Sequence, residues 1–225
     1  MARPTKPLIS KDACARAALE IIDAEGLEAL SLERLAKEIG VRAPSLYHHF
    51  ADKAEILARV VRLITLEVPV PPEPSPDNWQ EWLVSMCVSF RRAIMAHPNA
   101  APLLLRHYPR QFMLSSYERA SRVLAQVDVP IELHILIIEG VDKLTLGSGL
   151  YGAHGRATGQ PEFPAVDPDR DPMLARALEA NPYNDEEAFA ETVRSFLRGV
   201  VAASAPARNG RRRQRAVQPP STTNV

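Results

Sequence analysis

Between residues 42 and 53 the chain gathers Arg42, Ser45, Tyr47, His48, His49 and Lys53 around the apolar Leu46 and Phe50. That mixture suits one chemistry above others. A guanidinium forks onto the edge of guanine, hydroxyl and ammonium groups grip phosphate oxygens, and a small apolar surface touches a thymine methyl. Leu46 and Phe50 share one side of a helix, which leaves Arg42, Ala43, Ser45, Tyr47, His48 and His49 outward or flanking. Arg42, Ala43 and Pro44 are the candidate base readers. Ser45, Tyr47, His49 and Lys53 are better placed as phosphate ligands.

The elements that must hold these groups are legible on either side. Ser31 can cap a helix whose Leu32, Leu35, Ala36 and Ile39 recur at helical spacing, and Gly40 supplies the left-handed backbone that ends it. Val41 can plug the angle, and Pro44 sits where a first-turn proline loses no hydrogen bond, so a second helix starts near Ala43. In a helix-turn-helix the early residues of that second helix reach base edges. A plain helical hairpin, with Tyr47 and both histidines as surface and core filler, fits the same spacing. The Gly40 turn, the Pro44 start, the tyrosine and the following lysine, occurring together, favour DNA. A first helix is expected from Ser10 or Lys11 to Glu25, with Cys14, Ala17, Ala18, Ile21 and Ile22 inward and Gly26 ending it. Asp52 can cap a fourth helix, Lys53 to Glu67, whose apolar stripe reaches both the reading head and whatever follows, and this is the element expected to move.

Residues 10–66 resemble the DNA-binding domain of the tetracycline-repressor (TetR) family. The resemblance rests on Glu25-Gly26-Leu27, then Leu35, Ala36, Gly40 and Val41, then Leu46, Tyr47, His49 and Phe50, and finally Lys53 with Ile56 and Leu57. It implies a homodimeric transcription regulator, usually a repressor, released when a small molecule binds a variable C-terminal domain. It also implies phosphate contacts for Ser45, Tyr47, His49 and Lys53, and base-reading positions for Arg42, Ala43 and Pro44. Glu33 departs from the pattern, standing where some members carry a basic base-reading residue. Because one short helix touches few bases, a two-fold dimer with its heads one helical turn apart would read a pseudo-palindromic operator.

The chain has 225 residues, 46% of them apolar, with little glycine and recurrent helical periodicity, which points to an all-α protein. Basic and acidic residues balance at 27 each, so attraction to nucleic acid must come from local clusters. Residues 1–9 with Lys11 form a basic arm (Arg3, Lys6, Lys11) that either enters a minor groove or frays in solvent. Residues 204–225 carry Arg208, Arg211, Arg212, Arg213 and Arg215 with no acid, and read as a disordered tail that solubilises or adds salt-sensitive contacts to polyanions. With only Cys14 and Cys87, no signal peptide and no spanning apolar run, the chain reads as cytoplasmic with reduced thiols and no membrane partner.

Residues 67–78 are a proline-rich linker, and residues 79–203 a helical bundle for ligand binding and dimerisation. Helices are expected from Trp79 to Ala96, from Pro109 to about Val127, from Ile131 to about Gly152, and onward from Asp185; residues 153–172 read as a mobile loop. The helix after Pro130 is apolar around most of its circumference, and Gly140, Gly147 and Gly149 make it the first candidate for the dimer contact, in a four-helix bundle with the last helix. An effector pocket would draw on Trp82, Met86, Phe90, His107, Phe112, Met113, Tyr117 and His134, although such a stripe also serves as plain core. No histidine has a partner at a spacing that dictates a metal site, no cofactor is implied, and no nucleophile elbow, phosphate loop, HExxH or CxxC occurs. The rival to a DNA-binding regulator is a small-molecule carrier or a protein-interaction scaffold.

Overall fold

The computed structural model describes residues 10–69, 71–72, 74–107, 110–161 and 163–216, with side chains as far as residue 203. Among them every regular element is helical. Helix α1 (Lys11–Glu25) begins where the Ser10 hydroxyl accepts from the Ala13 amide at 3.0 Å, and ends at Gly26 with φ of 89°. A short 3-10 turn leads to α2 (Leu32–Glu38), whose first turn is capped by the Ser31 hydroxyl accepting from the Arg34 amide at 3.0 Å. Gly40 takes φ of 69°, a left-handed backbone that favours glycine, and the chain turns into α3 (Ala43–Tyr47). Helix α4 (Lys53–Leu66) starts with a reciprocal cap. Asp52 accepts from the Glu55 amide at 2.8 Å while the Glu55 carboxylate accepts from the Ala51 amide at 2.9 Å.

The second half comprises α5 (Trp79–Ala96), the single turn α6 (Leu103–Arg106), α7 (Arg110–Gln126), α8 (Ile131–Thr158), α9 (Pro172–Glu179) and α10 (Asp185–Ala216). Helix α5 lies between α8 and α10, while α7 packs along α8. One apolar core begins with Ile22, Leu35, Leu46 and Phe50 in the head and runs through Ile64 to Phe90, Ile94, Leu103 and Leu104. The head is therefore joined to α5 and α6 through packed side chains, and close-packed interiors transmit displacement. A second core unites Trp82, Leu83, Leu124, Ile137, Val193 and Leu197. No helix among the described residues is long and apolar enough to cross a membrane.

Several expectations need correction. The loop expected over 153–172 is shorter: α8 continues to Thr158, ended by left-handed Gly159 at φ of 67°, and Pro172 opens the unforeseen α9. Gly152 lies inside α8, and its missing side chain leaves room for Met95, whose Cε lies 2.7 Å from where a Cβ would stand. Close approach at Gly140 and Gly149 is made by this chain's own helices: a Cβ there would stand 2.1 Å from the Phe196 ring and 2.9 Å from Ile94. Gly147 alone of the expected trio has nothing within 4 Å. Helix α10 runs on into the tail read as disordered, as far as Ala216 and past Pro206 and Gly210. Residues 217–225 lie outside the described residues, as do Arg3 and Lys6 of the basic arm. Lys11 belongs to the head instead, its ammonium 2.6 Å from Glu55 and 5.4 Å from the Phe50 ring centroid.

Candidate nucleic-acid interface and effector cavity

The head positions its outward groups from beneath. Leu46 and Phe50 are buried against Leu35 and Ala36, and the Val41 amide donates to the Ala36 carbonyl at 2.9 Å, which fixes the angle between α2 and α3. Arg42, Pro44, Tyr47 and His48 consequently stand exposed, with Ala43, Ser45, His49 and Lys53 half-buried beside them. Charge is distributed in the same sense. Arg34 is held by Glu25 and Glu38, each at 2.6 Å, and Arg59 lies near Asp12 and Glu55. Among the described residues, Lys37, Arg42 and Lys53 enter no such ion pair. Of these, Arg42 stands at the start of α3 and Lys53 at the start of α4, where an anionic polymer on α3 would meet them.

A cavity of about 220 Å³ opens between α4, α5, α7 and α8. Thr65 and Leu66 at the end of α4, with Val68 just beyond it, form one wall. Leu83, Met86, Cys87 and Phe90 of α5 form the next, and Phe112, Met113, Ser116 and Tyr117 of α7 face Ile138, Val141, Asp142 and Thr145 of α8. The Tyr117 hydroxyl donates to the Asp142 carboxylate. Burial pushes the Cys87 thiol up to about 12, against a smaller opposing hydrogen bond with Thr145. Of the expected wall residues the cavity therefore takes Met86, Phe90, Phe112, Met113 and Tyr117.

Three expected wall residues sit elsewhere. Trp82 lies in the second core with the Arg119 guanidinium 5.5 Å from its ring centroid. His134 is buried and satisfied within the fold: one ring nitrogen donates to the Val129 carbonyl at 3.0 Å and the other accepts from the Ser121 hydroxyl at 2.7 Å. His107 closes α6, away from the cavity. Sequence reasoning passed over Thr65, Asp142 and Thr145 as wall residues. The available signal was a carboxylate and a hydroxyl three apart, Asp142 and Thr145, on the same face as the apolar Ile138 and Val141.

The head meets α5 at a polar joint as well as through the core. His97, just past α5, places Nδ1 2.7 Å from the Asp23 carboxylate of α1 and Nε2 3.0 Å from Glu67 at the end of α4. The Asn99 amide donates to the Asp23 carbonyl at 3.0 Å. Burial pulls the His97 imidazole down, but hydrogen bonds and charge from Asp23 and Glu67 outweigh it and leave the group above its ordinary 6.5.

A head with an exposed recognition helix, tied to a helical bundle around a cavity, defines the class of one-component transcription regulators. Residues 15–60 match the family described as bacterial regulatory proteins, tetR family, and residues 71–204 match the tetracyclin repressor-like C-terminal domain. The chain belongs to the TetR family and is a ligand-responsive transcriptional repressor of that kind. It is 26% identical to the tetracycline repressor protein class D of Escherichia coli over 193 residues, covering 85% of this chain and 88% of that one. Apo ActR from Streptomyces coelicolor superposes with a TM-score of 0.71 at 28% identity, covering 90% of this chain and 99% of ActR. The same protein in complex with actinorhodin gives 0.70 at 26% identity, covering 88% and 99%. These relatives favour the regulator over the carrier or scaffold.

Proposed function

We propose that two copies of this chain read a pseudo-palindromic DNA operator in the cytoplasm through α3, and release it when a small molecule fills the cavity beside α4. Arg42, Ala43 and Pro44 contact bases in this reading, and Ser45, Tyr47, His49 and Lys53 contact phosphates, with His48 exposed alongside them. The carrying observation is that one helix serves both ends: Ile56 of α4 is buried in the head's core, while Thr65 and Leu66 wall the cavity. A ligand that favours one tilt of α4 changes the separation of the two heads, and a coupling of about 1 to 3 kcal/mol suffices for a switch. The complex of ActR with actinorhodin supports a small-molecule effector.

The proposed dimer surface is the outer side of α8 and α10. Leu136 and Tyr151 remain 52% and 63% exposed there, and the space beyond Gly147 is open. Thr192, Ser195 and Gly199 present small exposed groups on α10 beside it. Such faces pair closely across a two-fold axis. The function is tested by electrophoretic mobility shift with DNA flanking the chain's own coding region, against scrambled duplex at fixed salt. Tight retention of the flanking duplex alone is expected; equal, weak retention of both would reject operator reading.

A further inference from the structure

We propose, resting on the reading of the cavity as the effector site, that the effector is a lipophilic amine bound as its ammonium form against Asp142. The argument begins with where the wall protons go. Thr65 donates its hydroxyl proton to the Val61 carbonyl at 2.9 Å, Thr145 donates to the Val141 carbonyl at 2.7 Å, and Tyr117 donates to Asp142. Thr65 and Tyr117 so turn oxygen lone pairs, not protons, toward a guest, while the Thr145 oxygen also hydrogen-bonds the Cys87 thiol. Ser115 and Ser116 are the other wall hydroxyls, and Ser115 is exposed.

Charge points the same way. Asp142 is a wall residue, and no lysine, arginine or histidine lies among the described residues that line the cavity. One guanidinium does touch a wall residue: Arg62 lies 5.7 Å from the Phe112 ring centroid, and it is 3.7 Å from Asp12 of α1. An organic anion entering here would bring a second negative charge beside a carboxylate in apolar surroundings, with no cation among the described wall residues to answer it. A guest without donors would leave the acceptors unmet once water is expelled. An ammonium satisfies both conditions, because its N–H groups make charge-assisted bonds to carboxylate and hydroxyl oxygens. Phe90, Phe112 and Tyr117 add aromatic faces, which attract cations. The rest of the guest must be apolar to match Leu83, Met86, Ile138 and Val141.

The test uses the full-length protein and three probes with one aromatic body: 1-naphthylmethylammonium, 1-naphthylmethanol and 1-naphthylacetate, titrated by calorimetry. The ammonium should bind about tenfold or more tighter than the acetate, with the alcohol between them. Asp142→Asn should weaken the ammonium about tenfold and leave the alcohol within about threefold. The wild-type ranking needs no variant, so poor folding of Asp142→Asn does not shelter the proposal. Equal or tighter binding of the acetate overturns it, as does failure of the ammonium to bind at millimolar concentration, or an unchanged ranking in folded Asp142→Asn. Met86→Trp, which fills the cavity, should abolish binding of all three probes. If folded Met86→Trp still binds them, the cavity reading itself fails; if it loses them while the acetate wins in the wild type, only the amine proposal fails.

Discussion

Tyr47 is 56% exposed, yet Leu46 beside it has no exposure at all. Neighbours on one short helix thus carry separable jobs, and substitution should separate them. Tyr47→Ala and Lys53→Ala should weaken operator binding while moving the melting temperature little, because Tyr47 is exposed and Lys53 is only half-buried and enters no ion pair among the described residues, and such surface substitutions usually stay within about 0.5 kcal/mol. Lys53→Ala should also reduce the slope of binding against salt by about one counterion, measured as affinity across a salt series. Unchanged affinity would remove the phosphate role given to these two residues. Leu46→Ala should instead destabilise the fold by about 2 to 5 kcal/mol in denaturant melts, since it empties a site filled on every side. At this scale the sequence reading placed the head well, because helical spacing decides inward from outward at Leu46 and Tyr47 alike. It placed His134 poorly. Whether a histidine faces a cavity or spends both nitrogens on Ser121 and the Val129 carbonyl depends on a turn whose path spacing does not encode.

Capping residues made two helix starts readable: Ser31 and Asp52 each accept the amide bond their position predicts. Helix ends were harder. α8 outran its expected end because the segment after Gly152 stays helical until Gly159 takes a left-handed backbone, so the stop lies seven residues later than the glycine-rich composition suggested. α9 escaped notice because Pro and Asp flank a short amphipathic stretch, and the flanks outweighed the stretch. The outer surface of α8 carries a prediction at this scale. Gly147→Arg places a long cation where nothing lies within 4 Å in the single chain, so the monomer should fold normally while the dimer dissociates. Light scattering during size-exclusion chromatography reads this directly. A Gly147→Arg protein that keeps the wild-type mass would move the dimer interface elsewhere.

Across the whole molecule, the joint of His97 with Asp23 and Glu67 sets a pH dependence between head and bundle. Because the folded imidazole is raised above its ordinary 6.5, its contribution is complete below that value and is lost as pH climbs through the folded value. The melting temperature of wild type minus that of His97→Gln should therefore be largest in mild acid and shrink toward alkaline pH, as differential scanning fluorimetry across a pH series will show. A constant difference would mean that the contact holds without a proton. The length of α4 has a further consequence, which is one of gain. Its 14 residues extend about 20 Å, so a swing of about 5° carries one end past the other by about 2 Å. Doubled by a two-fold axis, that is about 4 Å of mismatch against rigid B-form phosphates, where hydrogen bonds tolerate only a few tenths of an ångström. A guest can thus abolish recognition while disturbing its own surroundings by little more than the width of a bond.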